Sequence, residues 1–210
     1  HANIKETWLS SMENLEELNL RGCKNLDEKN LEDLKVIKIN LGFTNIKGTW
    51  LSSMENLEEL NLDGCYNLDE KNLKNLKVRK IDLLCTNIKG TWLSSMKNLE
   101  ELYLYKCKNL DENNFKNLKV RKINLLSTNI KGTWLSSMEN LEELNLEGCY
   151  NLDEKNLKDL KVRKIDLSST NIKGTWLSSM KNLEELGLRC CEKLDENNLK
   201  DIKKTVNIII

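Results

Sequence analysis

The chain has 210 residues, and its 33 basic and 33 acidic side chains cancel, which removes the long-range attraction that draws proteins to nucleic acid or an anionic membrane. Seven cysteines with no C-x-x-C pair, and no N-x-S/T sequon, speak against a disulfide-stapled secreted domain and for a reducing compartment, read here as the cytoplasm. No apolar run approaches the roughly 18 residues of a membrane span and no charged-then-apolar leader opens the chain, so a soluble protein is expected.

The chain opens at His1-Ala2 in the middle of a repeating pattern, which reads as a fragment of a longer protein. A secreted effector is the alternative localisation if a signal lies outside the fragment. Trp8, Trp50, Trp92, Trp134 and Trp176 recur every 42 residues, so the whole chain is one array. After a partial repeat over 1–14, units of a first kind start at Leu15, Leu57, Leu99, Leu141 and Leu183. Units of a second kind alternate with them, from Val36, Val78, Val120 and Val162. These nine units cover 15–203, and 204–210 reads as one last partial strand.

Each unit starts LxxLxLxx. Its central leucines, one residue apart, alternate with polar residues as in a short strand with one buried face. In the first kind, Leu152-Asp153-Glu154 leads into Leu157 and Leu160, and Asp153 is placed to cap a short helical turn. In the second kind, Gly174-Thr175 precedes Trp176, Leu177 and Met180, giving the same turn with a bulkier inward face. A 21-residue unit of this type cannot bury its leucines alone and must stack on its neighbours as a right-handed coil.

The segment Leu141-Glu142-Glu143-Leu144-Asn145-Leu146-Glu147-Gly148-Cys149 resembles the cysteine-containing class of leucine-rich repeat, and Ile165-Asp166-Leu167 to Thr170-Asn171-Ile172 resembles the ordinary class. The resemblance covers essentially the whole chain. It implies an α/β leucine-rich-repeat solenoid, with a parallel β-sheet on the concave face and short helical turns on the convex face, built from 21-residue repeats in 42-residue pairs. Families with such repeats include the substrate-recognition arms of F-box ubiquitin ligases, immune receptors and microbial effectors. The resemblance therefore implies a protein partner held on the concave face, without nucleic acid, membrane, metal or cofactor. A scaffold that self-associates edge to edge through uncapped ends is the alternative function.

Cys23, Cys65, Cys107, Cys149 and Cys191 fall where the strand leaves the sheet and are expected to point inward as small apolar groups donating weakly to backbone carbonyls. The tryptophans are expected in the convex core. Glu58-Glu59, Arg79-Lys80, Glu100-Glu101, Arg121-Lys122, Glu142-Glu143, Arg163-Lys164 and Glu184-Glu185 set opposite charges on neighbouring strands, which specifies stacking order. No enzyme is expected: the single histidine is His1, and every acidic cluster is a copy of another.

Positions that differ between copies are free to serve a partner. They are the fifth, seventh and eighth of each unit, where Phe43, Leu84, Tyr103, Tyr105 and Leu126 form the candidate partner-binding patch of the central units.

Overall fold

The computed structural model describes residues 12–200, 202 and 205–210. Trp8 and residues 1–11 of the opening partial repeat lie outside the described residues.

Ten three-residue strands form one parallel sheet in simple sequence order. They are β1 (Glu17–Asn19), β2 (Lys38–Asn40), β3 (Glu59–Asn61), β4 (Lys80–Asp82) and β5 (Glu101–Tyr103), followed by β6 (Lys122–Asn124), β7 (Glu143–Asn145), β8 (Lys164–Asp166), β9 (Glu185–Gly187) and β10 (Asn207–Ile209). Each strand pairs in register with the residue 21 places later, Glu101 with Lys122 for example. The final pair departs from this, since Glu185 meets Asn207, a step of 22. Every side chain at the centre of β2 to β9 is buried, Leu102 and Leu186 completely.

Single 3₁₀ turns stand where the sequence predicts helical turns. In the first kind of unit Asp27, Asp69, Asp111, Asp153 and Asp195 each cap a turn by accepting the backbone N–H two residues on. One buried residue, Leu157 or its counterpart Phe115, points each turn inward. In the second kind the turn begins at the tryptophan without a side-chain cap. Trp50, Trp92, Trp134 and Trp176 are all buried, and Trp134 stacks on Phe115 at 4.9 Å.

A carboxylate locks the two kinds of turn together. Glu28 Oε1 and Oε2 accept the N–H groups of Lys47 and Gly48 at 2.6 and 2.8 Å, and Glu112 does the same for Lys131 and Gly132 at 2.6 and 2.9 Å. Gly48 has φ +82°, which aims its N–H at the carboxylate, and a Cβ there would meet Leu51 at 2.8 Å. Glu154 also accepts from the Trp176 indole at 3.1 Å, whereas the equivalent N–H groups of Trp50, Trp92 and Trp134 are buried without a protein acceptor.

The cysteines point inward, and the second kind of unit supplies the partner that sequence reading did not assign. Thr44 Oγ1 donates to the Leu41 carbonyl at 2.6 Å, Cys65 Sγ donates to the same carbonyl at 3.1 Å, and the two side chains lie 3.5 Å apart. Thr86 with Cys107 and Thr128 with Cys149 repeat this arrangement. Burial pushes the Cys65, Cys107 and Cys149 thiols above their usual range, which leaves them poor nucleophiles. Cys85 is half-buried and Cys190 exposed.

Candidate functional site

Three outward positions per coil line the strand side. The third carries the charge row, and the ion pairs run from strand to strand: Lys38 bridges Glu17 and Glu59 at 3.3 and 3.2 Å, and Lys122 meets Glu143 at 3.0 Å. The second position lies just before the strand, and there the arginines grip forward. Arg79, Arg121 and Arg163 each hold Glu100, Glu142 or Glu184 through two hydrogen bonds of 2.8 to 3.1 Å. The guanidinium hydrogen bonds hold those three carboxyls below the ordinary carboxylate range.

At the fifth position an Asx ladder closes the exit from each strand. Asn19, Asn40, Asn61, Asp82, Asn124, Asn145 and Asp166 each accept the backbone N–H two residues later, at 2.9 to 3.1 Å. The exceptions are Tyr103, Gly187 and, in the last strand, Ile209. Tyr103 cannot make that bond. Its hydroxyl donates instead to Glu101 Oε2 at 2.7 Å, and burial, with Glu101 beside it, pushes the phenol up to about 12. Lys80 and Lys122 stand over its ring at 5.6 and 5.9 Å.

Tyr103 rises between two shallow troughs on the sheet. A trough of about 520 Å³ runs from β1 to β4 and ends at Lys80 and Asp82. The other, about 360 Å³, begins at Tyr103 and runs to Gly187 and Ile209.

Leu84, Tyr105 and Leu126 occupy the seventh position of three successive coils. The backbone joins them there, Cys85 N–H to the Tyr105 carbonyl at 2.8 Å and Lys106 N–H to the Leu126 carbonyl at 3.0 Å. All three are half-buried, and the Lys106 ammonium stands 4.7 Å from the Tyr105 ring centre. With Tyr103 they make an apolar and aromatic cluster centred on β5. Phe43 stands apart, two coils before Leu84. Its ring lies where a Cβ on Gly64 would be, with the Arg21 guanidinium 4.4 Å above it. Arg21 also reaches past Gly42 to Asp63 at 3.0 Å, closing a local cluster separate from the central one. Tyr66 and Tyr150, 67% and 65% exposed, lie beyond the strand exits, and the sequence reading had not singled them out.

No helix among the described residues is long and apolar enough to cross a membrane, and no His, Cys, Asp and Glu grouping there could hold a metal ion.

An open parallel sheet in chain order, one strand and one 3₁₀ turn per 21 residues and a leucine core repeated coil by coil together give this chain the leucine-rich-repeat fold. Among solved structures it is similar to one described as the crystal structure of a TLR13–ssRNA13 complex. The match has a TM-score of 0.54 and 19% sequence identity, and covers 96% of this chain. The chain spans 29% of the length of that neighbour. No family model matches the chain, and no curated protein does.

Proposed function

We propose that this chain is a protein-recognition module whose partner seats on the concave strand side over the fifth coil, against Leu84, Tyr103, Tyr105 and Leu126. The observation that carries this reading is Tyr103. At that place seven coils keep an Asx side chain that closes the strand exit, whereas this coil forgoes that bond and displays an aromatic ring instead. The exchange trades a hydrogen bond to the backbone for one to the Glu101 side chain and sets an aromatic face on the sheet, which supports a role outside the stack. Tyrosine beside aliphatic side chains is also the composition of binding hot spots. An adaptor, a substrate-recognition arm or an effector all fit such a module, and seven thiols without a disulfide support a reducing compartment such as the cytoplasm.

The test is a selection of binders from a random peptide display library on the immobilised 210-residue chain, repeated with Tyr103→Ala/Tyr105→Ala. The reading expects enriched clones whose binding falls at least about tenfold on the double variant while its circular dichroism is unchanged. Clones that hold the variant as well as the parent overturn it. Self-assembly through strand edges, the second reading, pairs the outer edge of β10 with a second copy of the chain. Light scattering that grows with concentration supports it, and a constant monomeric mass removes it.

A further inference from the structure

The fifth and seventh coils are units of the same kind, and their sheet-side differences run in one direction. Where the seventh coil and the residues leading into it have Glu139, Glu147, Gly148 and Tyr150, the fifth and its lead-in have Lys97, Tyr105, Lys106 and Lys108. Each of these four exchanges makes the fifth coil more positive. On the turn side Lys155 becomes Asn113 and Asp159 becomes Asn117, exchanges that cancel, so the added charge lies on the strand side and its rims.

The surroundings compensate that charge only in part. Along the amino edge of the sheet acidic and basic residues alternate from coil to coil, Glu55 before Lys77 and Lys119 before Glu139. Lys97 breaks the alternation, as Lys181 does again after Lys161, and sets three lysines, Lys77, Lys97 and Lys119, side by side. All three are exposed and line one groove of about 910 Å³. Of the carboxylates that line the groove, Glu100 is held by both donors of Arg79 and Glu58 lies 3.8 Å from the same guanidinium, while Glu55 stands one coil beyond Lys77. Among the described residues neither Lys97 nor Lys106 forms an ion pair, whereas the lysines of the strand row, Lys38, Lys80, Lys122 and Lys164, all do. Lys106 also sits at φ +57°, where the first, third and seventh coils place Gly22, Gly64 and Gly148. Phe43, Cys85, Ser127, Ser169 and Cys190 hold the same left-handed conformation at that place in other coils, so the backbone accepts a side chain there and leaves its identity free to vary.

We propose that the fifth coil recognises an acidic peptide segment: an apolar or aromatic side chain seated at Tyr103, Tyr105, Leu84 and Leu126, with carboxylates on either side meeting Lys97 at one rim and Lys106 at the other. The two lysines are nine residues apart, so their backbones are separated by at most about 30 Å, within the reach of an extended segment of about nine residues. Single-stranded nucleic acid suits the surface less well. Its phosphates would meet the glutamate rows that interleave the lysines, and Leu84 and Leu126 offer no face on which a base stacks.

This inference rests on the recognition reading above, and one experiment separates the two. The peptide selection is carried out in parallel on the parent chain, on Tyr103→Asn, and on Lys97→Glu/Lys106→Gly. Every introduced residue already occupies the equivalent place in the seventh coil, so each variant is expected to fold. The parent should enrich peptides with a large apolar residue flanked by Asp or Glu. Their affinity should fall about tenfold on the lysine double variant and weaken steeply with salt. Clones that need Tyr103 but show no acidic flanks, or are indifferent to the lysine exchange, overturn the acidic-segment proposal and leave recognition standing. Clones indifferent to Tyr103→Asn overturn the recognition reading itself. A single-stranded oligonucleotide that binds the parent and competes the peptides away overturns the peptide in favour of nucleic acid.

Discussion

The fifth and seventh coils share a backbone, a core and a capping scheme, yet present different strand sides. Leu102, Leu104 and Cys107 are as buried as Leu144, Leu146 and Cys149, and the Asp111 cap repeats that of Asp153. Outside, Asn145 of the seventh coil accepts the Glu147 N–H and closes its strand exit, whereas Tyr103 of the fifth turns its hydroxyl to Glu101 and presents its ring on the sheet. The difference teaches where selection for the coil stops. An Asx side chain at that place is explained by the stack, and the aromatic ring that replaces it is the feature on which the recognition proposal rests.

Substitutions at paired positions sharpen that comparison. The largest effect is expected in the shared core. Leu104→Ala and Leu146→Ala both remove a side chain with no exposed surface, and each should cost about 2–5 kcal/mol in urea unfolding. If the two differ widely, the coils are not equivalent inside and the comparison loses its baseline.

A smaller loss is expected from the charge rows. Reversing Arg121 and Lys122 to glutamate frees Glu142 and Glu143 and sets like charges on adjacent strands, which should lower the melting temperature by a few degrees. The carboxyls of Glu100, Glu142 and Glu184 ionise at lower pH in the folded chain than their ordinary value. Their contribution is therefore in place above the ordinary carboxylate range and disappears as acidification passes through the depressed one. Replacing Arg79, Arg121 and Arg163 with alanine should flatten that acid-side loss in a melting-temperature profile against pH. An unchanged profile would remove the arginine grips from the account.

The smallest effect on stability, and the most informative sign, belongs to Tyr103→Asn. Restoring the strand-exit hydrogen bond should leave stability unchanged or raise it by up to about 1 kcal/mol. A marked destabilisation would make Tyr103 a packing residue and close the case for recognition at this coil.

The strands, the turns, the Asp caps, the inward cysteines and the charge pairing were legible in the sequence because each depends on residues within one unit or on the 21-residue step itself. The Cys and Thr column, the Glu28-type clamp and the two-donor grip of the arginines were not. Their partners lie 19 to 24 residues apart and meet only once the register of the stack is fixed. The Asx ladder was visible as a recurrent Asn or Asp, but its role needs the backbone bend that carries the acceptor back two residues. Phe43 shows the limit of reading a patch by column. It shares the outward side with Leu84, but Asp63 and Gly64 stand between them, and the ring turns to Arg21.

Hydrogen exchange of the 210-residue chain, with and without a peptide selected on it, tests the central claim most directly. Added protection should concentrate on the strand exits of the fourth to sixth coils, around Leu84, Tyr105 and Leu126, and leave the Trp-bearing turns unchanged. Protection spread evenly along the array, or confined to those turns, would contradict the account.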